Sequence, residues 1–117
     1  MKSISSKEEL KNALEAGEKQ FIITDNKLLK ALAVQYWIQN NKTKGALLLA
    51  ALPAAVAVGG AVAPIVGIVG AGLMIGGVSI TVAEIIAIGL IILALVAVLK
   101  GQKVESIDMK EGKICFK

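Results

Sequence analysis

Glu84 is the only charged side chain between Gly45 and Leu99, and it closes a glycine-rich stretch, GAGLMIGGVSITVAE (70–84). Residues of these types could cradle a phosphate on glycine backbone, hold an ion on a carboxylate, or pack helices closely. The phosphate reading fails at one residue. Gly72, Gly77 and Ser79 stand at P-loop spacing, but Val78 occupies the lysine slot, so the β/γ-phosphate charge would have no partner. The dinucleotide pattern fails as well, because Gly70 and Gly72 are followed by Ile75 where the third glycine belongs. No cofactor is expected.

Catalysis and metal binding lack their residue types. The chain has no histidine, all thirteen basic residues are lysine, and Cys115 is the single cysteine. The pairings needed for a general base and nucleophile, or for a metal ligand set, are missing, which reads as a non-enzyme. One cysteine also excludes an internal disulfide. With four aromatic residues and no arginine, the net charge of +4 does not read as nucleic-acid recognition.

Glu84 has two readings of its own. Thr81-Val-Ala-Glu84 is a capping box, in which the carboxylate returns to the Thr81 N–H and complements the positive helix end. Alternatively, copies of Glu84 ring the mouth of a pore and attract ions. A carboxylate helix beside a glycine-rich one resembles the rotor-ring subunit of rotary ATP synthases. That family, however, carries its carboxylate near mid-helix and a basic residue in the loop, whereas the loop here is GGVSIT.

The elements that position these residues are dominated by the apolar run 45–99. The protein has 117 residues, 56% of them hydrophobic, with mean hydropathy +0.72. As one helix the run would be about 80 Å long against a bilayer core of about 30 Å. The expected fold is therefore a membrane α-helical hairpin of two transmembrane helices, about 52–74 and 82–99 with a turn at 76–81. Pro53 and Pro64 allow a kink in the first span. Three shorter passes, broken near Gly59-Gly60 and Gly76-Gly77, are the rival. Residues 1–44 carry +3, 45–99 carry −1 and 100–117 carry +2. By the positive-inside rule both termini face the cytoplasm of an inner membrane, and no signal peptide is read. The divisions are 1–44, 45–100 and 101–117.

Small residues recur through the first span. Gly59, Ala63, Gly67 and Ala71 lie on one row, with Gly72 and Gly76 on another. Such rows let helices approach closely in lipid, as a glycine-zipper-like face. They predict a homo-oligomer, a pore or channel-like assembly; a tight monomeric hairpin would use the same face. Tyr36 and Trp37, just ahead of the run, are either interfacial anchors at the headgroup level or covers for a local core.

The two ends predict a small α+β cytosolic lobe. Ser6 and Glu9 cap a helix over 6–16, KQFIIT (19–24) reads as a strand, and a helix follows over about 27–39. VESIDMKEGKICFK (104–117) alternates as a β-hairpin turning at Glu111-Gly112, with Met109 opposite Ile114 and Ile107 opposite Phe116. Its apolar face would join the 20–24 strand. Such a lobe, held by a membrane anchor, could instead bind a cytosolic protein partner.

SSKEELKNALEAGEKQFIIT, a glycine/alanine-rich hydrophobic segment and VESIDMKEGKICFK together resemble short uncharacterised bacterial membrane proteins. The resemblance covers the whole chain in layout. It implies a bacterial inner membrane and a lipid bilayer as partner, and implies no activity.

Overall fold

Local signals start the first elements. The computed structural model describes residues 1–58 and 62–117. Strand β1 (Lys2–Ile4) leads into helix α1 (Lys7–Glu15), whose N-cap Ser6 accepts the Glu9 N–H at 3.2 Å. The Glu9 carboxylate takes the Ser5 N–H, not that of Ser6, so only half of the expected capping box forms. Gly17 follows, and β2 (Gln20–Ile23) returns parallel to β1. Asp25 then caps α2 (Asn26–Asn40), accepting the Leu28 N–H at 2.9 Å.

Helix α2 is the centre of the fold. Leu28, Leu29, Ala31, Leu32, Ala33 and Val34 are all buried, more than one face of an amphipathic helix could hide. On one side lies a four-stranded sheet ordered β1-β2-β6-β5, in which β5 (Val104–Asp108) and β6 (Lys113–Phe116) form the C-terminal hairpin. β6 runs antiparallel to β2, with Phe21 opposite Ile114, and the Phe21 and Phe116 rings meet edge-on at 5.9 Å.

The hairpin register differs from the expected one by two residues. Ile107 pairs with Ile114 and Val104 with Phe116, while Met109 falls in the turn. Asp108 causes the longer turn, because its carboxylate accepts the N–H groups of Lys110 (3.0 Å) and Glu111 (3.1 Å). The two-residue slip keeps Ile107, Ile114 and Phe116 on one face, and a bulge between Val104 and Ser106 brings Val104, which strict alternation puts on the other face, to the buried side as well.

The apolar run supplies the rest of the core. It forms α3 (Lys42–Val58), α4 (Ala63–Val69), a ribbon of β3 (Gly72–Ile75) and β4 (Val78–Thr81), then α5 (Val82–Ala87) and α6 (Gly89–Leu99). α3 and α6 pack on α2 and on each other. Leu48, Leu52, Ile65, Ile80, Ile85, Ile92 and Leu95 are fully buried in the same cluster as the sheet residues.

This arrangement overturns the two-span membrane hairpin. Among the described residues no helix is long and apolar enough to cross a membrane. Residues 52–74 fall in α3, α4 and β3, not one span, and 82–99 break at Ile88 into two short helices. The expected turn 76–81 is mostly strand β4. Gly76 and Gly77, at φ 58° and 80°, form the two-residue loop of a hairpin, a backbone conformation that favours glycine. Two membrane-spanning helices, an inner-membrane placement with both termini cytoplasmic, the pore and the membrane anchor all fall with it. The radius of gyration, 13.5 Å, is that of a single domain of this length, about 13 Å. Hydropathy misleads here because 22 of the 55 residues from 45 to 99 are glycine or alanine. Alanine counts as hydrophobic while adding little surface that must be hidden, and glycine breaks no apolar run while adding none.

Candidate functional site

The Glu84 carboxylate lies at a junction of elements. Thr81 caps α5, its hydroxyl accepting the Glu84 N–H at 3.2 Å while Glu84 Oε1 accepts the Thr81 N–H at 3.1 Å. The other oxygen, Oε2, accepts the Lys30 ammonium from α2. That hydrogen bond, followed by the Thr81 N–H, holds the Glu84 carboxyl below the ordinary glutamate range. A cleft beside the pair is lined by Asn26, Lys27, Lys30, Glu84, Ala87 and Ile88. Both formal charges of the pair are matched, so the arrangement fixes α5 against α2. Lys30 had no local signal, standing 54 positions away.

The small-residue rows do not form one helix face. Gly59 lies outside the described residues. Ala63 and Gly67 lie on the exposed side of α4, and Ala71 is exposed just before β3. Gly72 and Gly76 belong to the β3–β4 hairpin, where a Cβ on Gly72 would collide with the Ile80 carbonyl oxygen. The glycines at close helix contacts are others: Gly89 at the start of α6, whose missing Cβ makes room for Val56 of α3, and Gly45 of α3, which lies against Ile38 of α2.

Tyr36 and Trp37 are half-buried near the end of α2. They line a cleft of about 180 Å³ with Asn40, Asn41 and the β3–β4 turn residues Met74, Ile75 and Gly76. They pack on the protein's own core, and the headgroup role falls with the spans.

Two polar residues of α2 went unnoticed in the sequence. Gln35 is 6% exposed, and its Nε2 donates to the Ile92 carbonyl at 2.8 Å. Gln39 takes the Val104 N–H on Oε1 at 3.0 Å and donates Nε2 to the Val104 carbonyl at 3.1 Å, standing in for a neighbouring strand. Their spacing of four places both on one side of α2, a readable signal of polar groups sharing a face. Among the described residues no cluster of three histidine, cysteine or acidic side chains could hold a metal ion.

The remaining feature is an uncharged surface. α3 turns Ala46, Leu47, Ala50, Ala54, Ala57 and Val58 outward, with Leu47 53% and Val58 74% exposed. Its inner row, Leu48, Leu52 and Ala55, is buried.

A family model described as "Uncharacterised protein PM1101" matches residues 3–117. The chain belongs to the PM1101 family. No curated protein and no solved structure matches it. Membership of the PM1101 family spans both the sheet and the apolar helices, so the two halves are parts of one family unit.

Proposed function

We propose that this chain is a non-catalytic interaction protein that pairs with a second copy of itself through the outer face of α3. The observation carrying this reading is the row from Ala46 to Val58, exposed yet without a polar side chain. Contiguous apolar surface of this kind marks interaction sites in folded proteins. A second copy suits it best because an uncharged face is self-complementary about a two-fold axis. The alanines Ala46, Ala50, Ala54 and Ala57 permit close helix approach. Lys42 and Lys44 at the start of α3 favour an antiparallel pair, which keeps the two lysine pairs at opposite ends. The lack of histidine and arginine supports a non-catalytic role.

Sedimentation velocity on wild type and on the double variant Leu47→Glu, Ala54→Glu tests this. Both positions are exposed, so circular dichroism should show an unchanged fold. Wild type should sediment as a dimer of the 12.1 kDa chain and the variant as a monomer. A monomeric wild type, an unchanged variant mass, or co-pelleting of monomers with phospholipid vesicles would overturn the reading.

A further inference from the structure

A cleft of about 200 Å³ opens where α2, the end of α6 and the approach to β5 meet, and its polar groups are not all used by the fold. Its apolar lining is Leu49, Val96 and Leu99. Gln35 also lines it, almost completely buried, with Nε2 committed to the Ile92 carbonyl. Among the described residues nothing donates to Gln35 Oε1, and no unpartnered side-chain oxygen is sealed from solvent. That acceptor is therefore not sealed in the core, and Gln35 meets open space at the cleft. A buried acceptor held in place by its own amide selects a ligand that brings a donor.

The rim supplies the opposite polarity. Gln102 Oε1 takes the Lys19 ammonium at 3.0 Å, which leaves its Nε2 available as a donor. Lys103 lines the cleft, is exposed, and has no ion pair among the described residues. Gln39, which also lines the cleft, is held in place by its donor and acceptor bonds to Val104. Leu99 and Gln35 are buried at the base of the cleft, Leu49 and Gln102 are half-buried, and Val96 and Lys103 stand exposed at its mouth.

We propose that this cleft binds a small aliphatic acid whose chain is followed by an N–H group and a terminal carboxylate, the chemistry of an N-acyl amino acid. The chain lies on Leu49, Val96 and Leu99, the N–H donates to Gln35 Oε1, and the carboxylate meets Lys103 and the Gln102 amide. The volume equals about six or seven water-sized groups, enough for a chain of a few carbons with its head in solvent. The cleft uses Leu49 of α3 and none of the residues of the outward row proposed for self-association.

The test is titration of the isotopically labelled full chain with N-hexanoylglycine, followed by amide chemical shifts. Saturable shifts should map to Gln35, Leu49, Val96, Gly101 and Lys103. Shortening the acyl chain should weaken binding by about fourfold per methylene. N-methylation of the ligand, which removes its donor, should weaken it by about tenfold. The neutral amide analogue should lose the contribution of Lys103. Val96→Trp, at a position 49% exposed, should fill the cleft and abolish binding without loss of fold, and Lys103→Glu should weaken it. Absence of saturable shifts, shifts elsewhere, equal binding by the N-methyl ligand, or full binding by Val96→Trp would overturn the proposal.

Discussion

Lys30 on α2 and Glu84 on α5 share one hydrogen-bonded ion pair, and the same carboxylate closes the first turn of α5 through Thr81. One side chain thus ends the β3–β4 ribbon, starts a helix and attaches that helix to the central one. The only charge in the apolar run is spent on positioning.

Acidification should weaken the fold through this pair. The carboxyls of Glu84 and Glu9 are held below the ordinary glutamate value, Glu84 mainly by Lys30 and Glu9 mainly by Ser5. A carboxyl with a lowered folded-state value contributes stability that is present above its unfolded value of about 4.3 and is lost as pH falls through the folded value. The melting temperature should therefore drop below about pH 4. Glu84→Gln should melt lower at neutral pH and show a shallower acid decline. Identical acid limbs for variant and wild type would remove Glu84 from the account.

Gln39→Ala should leave the Val104 N–H and carbonyl without partners at a residue 2% exposed. An unmet buried polar group costs about 1–3 kcal/mol, readable as a lower urea midpoint. Gln39→Glu should recover little, because a carboxylate can accept the Val104 N–H but cannot donate to its carbonyl. A midpoint unchanged by Gln39→Ala would show that water replaces the carboxamide.

The glycines should separate sharply under substitution. Gly89→Leu places a side chain against Val56 and Leu52 and should cost about 1–3 kcal/mol by overpacking. A Cβ at Gly67 meets nothing within 4 Å among the described residues, so Gly67→Leu, which replaces an exposed helix glycine by a better helix former, should be neutral or stabilising by up to about 1 kcal/mol. Equal effects at the two positions would contradict the α3–α6 contact.

At the β3–β4 turn, Gly77 has φ 80° and open space around its Cβ position. Gly77→Val should cost about 1–2 kcal/mol from backbone strain alone. Gly77→Asn should cost less, because asparagine visits the left-handed region more readily. If valine were as stable as asparagine there, the turn would have another geometry.

The sequence by itself determined what is local. Ser6, Asp25 and Thr81 each accept an N–H two or three residues into the helix they start, which needs only near neighbours. The alternation Ile107, Ile114, Phe116 names the inner face of the C-terminal hairpin, which a slip by two preserves, but the bulge that buries Val104 has no signal in it. The β3–β4 hairpin was also legible, as two glycines between LMI and VSIT, but the surrounding hydropathy concealed it.

Only the tertiary structure decided what the apolar run surrounds. Hydropathy counts apolar residues and carries no information on whether lipid or the rest of the chain covers them. Here Leu48, Leu52, Ile92 and Leu95 lie buried beneath α2 and its neighbours, and the run breaks into short helices and a ribbon that wrap a shared core. Contacts such as Lys30 with Glu84, Gln35 with Ile92 and Gln39 with Val104 join positions more than fifty residues apart. No spacing rule within one element reaches that far, because the pairing is set by how α2 docks and not by its neighbours in the chain.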